Sequence, residues 1–246
     1  MRKYPLLIFL AGFSFWAQAQ SNKTEVLFNG KNLDGWYIIN GDESIEAPLF
    51  AVVNGTIGTY PSQEALSEQP FAALVTVKEY ENYTLSLEFK WGEKKFKPRD
   101  ESVRDAGVLI HMYGEDVIWP AGIECQIQEG DTGDLWIIKS MASSKVDGNG
   151  NNYDPKGTLI TKGEGSDYSR ISRHYSWEKQ GWNAIRLEVK GDQAQFFVNE
   201  KLVNEAIDMK KWDTEKEAWV PLTRGKIMIQ AEGAELFYRN IRVKAF

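Results

Sequence analysis

The sequence predicts an all-β fold, a two-sheet jelly-roll sandwich, and three features carry that expectation. Short runs alternate apolar and polar residues with a period of two, turn residues separate them, and after the first twenty residues no long stretch holds a helical period. Without such stretches a doubly wound sheet and its cofactor crevice lose their building blocks. A chain of 246 residues, 42% hydrophobic, with 9 Trp, 10 Tyr and 12 Phe, has ample material for one core.

The run Thr84–Trp91 sets the pattern, because Leu85, Leu87, Phe89 and Trp91 share one face and polar groups the other. Similar runs follow at Val108–Met112, Gly122–Gln128, Leu135–Ile138, Ala184–Val189 and Ala194–Val198. The last two are Lys226–Glu232 and Leu236–Val243. Gly191-Asp192 and Asn199-Glu200-Lys201 bracket the run Ala194–Val198 with tight-turn chemistry, as a meander of antiparallel strands requires. Loops are expected at Gly41–Pro48, Pro61–Pro70, Glu93–Arg104 and Ser140–Tyr175. The last is the longest and is rich in Gly, Asn, Ser and Asp, so it reads as an irregular, functional segment.

Residues 1–19 read as a secretory signal, with Arg2 and Lys3 at the start, an apolar stretch from Leu6 to Trp16, and Ala17-Gln18-Ala19 as a small-x-small cleavage site. The stretch falls short of the ~20 residues that a spanning helix needs. The expectation is a periplasmic or secreted domain over 20–246, touching a membrane only through an uncleaved signal. Removing Arg2 and Lys3 takes the formal charge from −6 to −8, and no basic run exceeds a pair such as Lys94-Lys95, which argues against nucleic acid as a partner. Cys125 is the single cysteine, so it has no intramolecular disulfide partner and reads as a small buried hydrophobe.

Strand alternation sorts Trp119–Gln128 into two faces, with Ile123, Cys125 and Ile127 on one and Glu124, Gln126 and Gln128 on the other. A carboxylate flanked by amides is a row of donors and acceptors suited to sugar hydroxyls, and a solvated sheet face is the alternative. Near the end, Ile227, Ile229 and Ala231 face inward while Met228, Gln230 and Glu232 face out, offering a second carboxylate and amide. Two carboxyl groups on one face can divide acid and base roles. His111 alternates with apolar neighbours on its strand, a candidate base, acid or metal ligand set against a purely structural histidine; His174 reads as a surface residue. Trp119 and Trp136 are candidates for stacking on a sugar ring, with core packing the commoner fate of aromatics beside strands. Asp131 and Asp134, in Gly130-Asp131-Thr132-Gly133-Asp134, offer oxygen ligands or simply a turn. Signatures of serine hydrolases, zinc proteases, phosphate loops and dinucleotide sites are all missing from the sequence.

Taken in order, these motifs resemble the 3-keto-disaccharide hydrolase domain family over nearly the whole chain after the signal. The resemblance runs through Leu27–Trp36, Ala106–His111, Trp119-Pro120 with Glu124–Ile127, Gly133–Trp136, Gly181–Asn183, Phe197–Asn199, Gly225–Gly233 and Tyr238–Ile241. The chain departs from the family at His111, where many relatives carry Arg, and at Glu200, where the family's turn has Gly. The resemblance implies a concanavalin-like jelly roll acting on oxidised glycosides or oligosaccharides, whose C3 ketone an upstream sugar 3-oxidoreductase supplies.

A C3 ketone acidifies the C2 hydrogen, so a modest base, an enolate stabiliser and a proton donor suffice for cleavage by elimination. On that basis Glu124 or His111 is expected as base and Glu232 as proton donor or orienter. Gln126, Gln128, Gln230, Trp119, Trp136 and Asp134 are the expected substrate contacts. A divalent cation on His111 and Glu124 is the candidate cofactor, acting as a Lewis acid. Two non-catalytic alternatives remain at this stage, a lectin-like carbohydrate-binding module and a structural module of an exported complex.

Overall fold

The computed structural model of the protein describes residues 23–42, 44 and 47–246, so the expected signal at 1–19 lies outside the described residues. The first six strands are β1 (Thr24–Val26), β2 (Trp36–Asn40), β3 (Phe50–Val53), β4 (Thr56–Thr59), β5 (Ala72–Tyr80) and β6 (Tyr83–Lys95). Next come β7 (Asp105–Tyr113), β8 (Ala121–Gln128), β9 (Leu135–Ile138), β10 (Met141–Val146), β11 (Thr158–Lys162) and β12 (Tyr168–Ile171). The chain closes with β13 (Asn183–Lys190), β14 (Gln193–Val198), β15 (Lys201–Asp213), β16 (Ala218–Pro221), β17 (Gly225–Ala231) and β18 (Ala234–Ala245).

These strands build two antiparallel sheets of a jelly roll, with no helix among the described residues. The larger runs β11-β10-β15-β14-β13-β6-β18-β4-β3, with β1 added on β18 and β16 on β15. The smaller runs β12-β9-β8-β7-β17-β5-β2 and carries the candidate site. Alternation on β6 and β13 buries Leu85 opposite Leu187 and Leu87 opposite Ile185, and this face meets Val108, Ile110, Ile123, Cys125 and Ile127 of the smaller sheet. Cys125 is fully buried and unpaired, as its place on the inward face requires.

The smaller sheet is also apolar on its second face, where Ala73, Val75, Leu109, Met112, Ile138 and Met228 form a separate cluster. The β7–β8 connection crosses this face. Asp116 accepts a 2.8 Å hydrogen bond from Tyr37 on the far strand β2, Ile118 lies against Gly41, and Trp119 returns towards Glu232. This strap explains how a sheet face turned away from the main core is still buried.

The segment Ser140–Tyr175 is not the irregular loop that its composition predicts. It contains β10, β11 and β12, which pair with β15, with β10 and with β9 respectively. These strands are short, and β11 is largely exposed, so backbone pairing at the sheet edges fixes them where apolar alternation does not. The alternation of β5 is hidden for another reason: Ala72–Val75 is buried on both faces and reads as a continuous apolar run.

Candidate active site

Three central strands of the smaller sheet bring the polar residues together on the face under the strap. Register pairs Leu109 with Glu124, Gly107 with Gln126 and Asp105 with Gln128 across β7 and β8. On the other side of β7, β17 contributes Gln230, and Glu232 stands in the turn immediately after Ala231. The period of two therefore places an apolar row beside two polar rows.

Gly107 makes that convergence possible. A Cβ there would overlap the Oε1 atoms of both Glu124 and Gln230, which meet above it, with Gln230 Nε2 3.5 Å from Glu124 Oε2. The carbonyl oxygen of the Gln230 side chain is buried without a partner, so it is available to accept a proton-bearing neighbour or a substrate hydroxyl. Two tyrosines hold this edge in place. Tyr238 donates to the Gln230 backbone carbonyl at 3.1 Å, and the Tyr60 hydroxyl accepts from the Gly233 amide at 3.0 Å.

Asp105 is the centre of the second row, accepting from Gln126 Nε2 at 2.7 Å, from Gln128 Nε2 at 2.8 Å and from Arg99. The same Arg99 nitrogen reaches Glu232 Oε2 at 3.1 Å, and Trp119 Nε1 donates to Glu232 Oε1 at 3.2 Å. The cavity so bounded measures about 400 Å³ and is lined by Asp105, Glu124, Glu232, Arg99 and Gln126 together with Trp119, Trp136, Ile138 and Tyr168.

Three buried carboxyl groups share this cavity with one guanidinium, which pairs with two of them, Asp105 and Glu232. Burial pushes the Glu124 carboxyl well above the usual range, and the nearby charges of Glu232 and Asp105 push in the same direction. Glu232 is pushed up to about 7, by burial first and then by Asp105, with Arg99 and Trp119 opposing. Asp105 is raised by burial while Arg99 and Gln128 hold it down. Among the described residues Glu124 has no ion-pair partner and Asp105 has three side-chain donors, so the proton retained in the cavity belongs on Glu124 before Asp105.

Two of the residues expected at the site lie elsewhere. A register shift on β7 between Ile110 and Tyr113, together with a left-handed backbone at His111 (φ 53°), turns this side chain into the space between the sheets. There its Nε2 sits 3.2 Å from the Gly191 carbonyl and its ring meets Tyr83 edge-on. Burial pushes its pKa down to about 4, which leaves the ring neutral. His111 and Glu124 stand on opposite faces of one sheet and cannot share a cation. Among the described residues no group of three or more His, Cys, Asp or Glu side chains is placed to hold a metal ion.

Asp134, expected as a substrate contact, is instead fully buried outside the cavity, taking the Arg173 amide at 2.7 Å and its guanidinium at 3.0 Å. Glu124, Gln126, Trp119, Trp136 and Glu232 do line the cavity, Gln230 touches Glu124, and Gln128 braces Asp105. Sequence reasoning missed Arg99, Asp105, Ile138 and Tyr168. Extending the alternation Leu109, Gly107 by one step reaches Asp105; Arg99, in a loop, carries no periodic signal.

The comparisons with known proteins give the family and the fold. Residues 23–244 match the 3-keto-alpha-glucoside-1,2-lyase-like domain, and the chain belongs to that family. No curated protein matches it in sequence. Two structures from Parabacteroides distasonis, both provisionally named glycosyl hydrolases, are similar in fold. One is 18% identical with TM-score 0.55, covering 91% of this chain and 94% of its own. The other is 19% identical with TM-score 0.54, covering 92% and 100%. A carbohydrate-binding module from Bacillus subtilis shares the fold at 9% identity and TM-score 0.51, covering 85% of this chain and 94% of its own.

Proposed function

We propose that the protein is an exported enzyme that cleaves glycosides of 3-keto sugars by elimination across C1 and C2. The observation that carries this reading is the cavity in which Arg99 pairs with Asp105 and Glu232 and leaves Glu124 with only an amide beside it, within a chain of the 3-keto-alpha-glucoside-1,2-lyase-like family. Elimination asks for a base, a donor to the enolate oxygen and a proton for the leaving group, and this set of carboxyls provides all three.

Glu232, as a carboxylate positioned by Arg99 and Trp119, takes the proton from C2, and the electron pair moves onto the C3 oxygen as an enolate. Glu124, protonated, donates a hydrogen bond to that oxygen beside the Gln230 amide, a role open only to a carboxyl kept neutral by its surroundings. The enolate then re-forms the ketone as the C1–C2 double bond forms and the C1–O bond breaks. The proton held by Glu232 passes to the leaving oxygen. Water adds across the double bond afterwards, its hydroxyl to C1 and a proton to C2, which completes a net hydrolysis. This division exchanges the roles expected from sequence. Glu124 has no guanidinium to stabilise its anion, whereas Glu232 has one, and Gln126 and Gln128 keep Asp105 in place. Residues 1–19 carry the export, and a sugar 3-oxidoreductase supplies the ketone.

Incubation with both anomers of a 3-keto-glucoside and of the unoxidised parent tests the reading. Release of the leaving group from the keto substrate alone is the expected result. Binding of both with release from neither would overturn it in favour of a carbohydrate-binding module.

A further inference from the structure

Glu232 depends on two donors that stand on irregular segments, Arg99 in the connection between β6 and β7 and Trp119 in the strap. Neither is fixed by burial, since the Arg99 side chain is 34% exposed and Trp119 37%. An arginine side chain held in one rotamer gives up freedom that an exposed position would otherwise allow it. The same Arg99 nitrogen also serves Asp105, so a small swing of the guanidinium towards Asp105 leaves Glu232 without it.

One ring meets both donors. The pairing of Ala231 with Ala72 between β17 and β5, carried one residue further, sets Phe71 across from Glu232. The Arg99 guanidinium lies over the Phe71 ring at 5.7 Å, and the Trp119 ring meets Phe71 edge-on with centroids 5.4 Å apart. A cation is attracted to the face of a phenyl ring and a second aromatic packs well at an angle to it, so a single side chain can hold two donors of different shape. The Phe71 backbone is fixed in turn, because its carbonyl accepts the Gly41 amide at 3.0 Å; a Cβ at Gly41 would stand 2.7 Å from that oxygen. Phe71 lies outside the cavity lining, so its influence on the chemistry runs through its two neighbours.

We propose that Phe71 is a positioning residue that holds Arg99 on one oxygen of Glu232 and Trp119 on the other, keeping the carboxylate ready for the C2 proton; this rests on the elimination reading above, in which Glu232 is the base. The other groups around Glu232 give it no help. Asp105 of β7 opposes its ionisation by charge, while burial keeps Glu124 of β8 and the Tyr60 and Tyr238 hydroxyls protonated.

Phe71→Leu and, independently, Phe71→Met remove the ring, and Phe71→Tyr retains it. Two readouts over pH compare them: kcat/KM on a 3-keto-glucoside, and the Glu232 carboxyl signal in carbon-13 NMR of glutamate-labelled protein, assigned by its absence from Glu232→Gln. Without the ring both midpoints are expected to rise by about one pH unit, the scale of one weakened charged hydrogen bond. Turnover then falls about tenfold below the midpoint and recovers by about pH 9. Phe71→Tyr is expected to restore both midpoints. Unchanged midpoints with a lowered Tm in Phe71→Leu or Phe71→Met would make Phe71 a packing residue only, and would overturn the proposal while leaving the elimination intact. A carboxyl midpoint that shifts with the ring, in a protein whose unaltered form cleaves no 3-keto-glucoside, would overturn the elimination reading and still support Phe71 as the holder of the two donors.

Discussion

Two clusters of acids and arginines stand on the smaller sheet, and they differ in how their charges balance. Around Asp134, two guanidinium groups meet two carboxylates: Arg173 reaches Asp131 at 2.7 Å and Asp134 at 3.0 Å, and Arg170 reaches Asp134 at 3.4 Å. In the cavity one guanidinium meets two of three carboxyls, Asp105 and Glu232, and Glu124 has only an amide beside it. Burial raises the Asp134 carboxyl too, but both arginines and the Arg173 amide pull it back, whereas repulsion from Glu232 and Asp105 adds to the rise at Glu124. A balanced cluster fastens strands together. A cluster short of positive charge holds protons near neutral pH, and protons are what acid–base chemistry consumes.

The contrast sharpens under substitution, and the largest effect is expected in the cavity. Glu232→Gln keeps the shape but removes the base, so kcat is expected to fall by about 10³, within the range general-base catalysis contributes. Glu124→Gln retains a neutral donor to the enolate oxygen and is expected to lose only about tenfold in kcat, less than the outright loss of an oxyanion donor would cost. Equal losses for the two would break the division of roles. In the unaltered enzyme, activity is expected to rise with pH through about 7 as Glu232 ionises. The sign for stability is opposite. A carboxyl raised from 4.5 to about 7 on folding favours the native state while protonated, so native stability is lost as pH rises across that window. Glu232→Gln is expected to flatten this part of the stability profile, as a Tm series over pH would show.

A smaller effect, and of another kind, is expected in the balanced cluster. Asp134→Asn leaves two arginines with one carboxylate, at a cost of about 2 kcal/mol of folding stability, the scale of a lost charged hydrogen bond. Turnover should be unchanged, and urea unfolding beside an activity assay checks both. A loss of kcat with intact stability would place Asp134 in the chemistry and break the contrast.

The same two clusters show what is legible from sequence. Glu124, Gln126 and Gln128, and then Gln230 and Glu232, are set on one face by a period of two that the sheets preserve. The tight turns at Gly191-Asp192 and Asn199-Glu200 fall between β13 and β14 and between β14 and β15, as their residues predict. His111 escapes because one irregular residue pair on β7 moves every later side chain to the other face, and alternation carries no mark of such a shift. Asp134 reads as a site residue in a turn because its partners, Arg170 and Arg173, lie far along the chain on and after an edge strand that polar composition disguises. Arg99 and Asp105 are invisible as a pair for a related reason: a loop residue and the first residue of a strand meet only once the sheet has formed.

The most direct test follows the C2 proton itself. A 1,5-anhydro-3-keto-glucitol has the ketone and the C2 hydrogen but no exocyclic leaving group on C1, so in D₂O the expected reaction is exchange of that hydrogen for deuterium. The unaltered protein is predicted to accelerate exchange at C2, with a rate rising through pH 7, and Glu232→Gln is predicted to abolish the acceleration. Exchange by Glu232→Gln at the unaltered rate, or none by either protein, would contradict proton removal by Glu232 as the opening step.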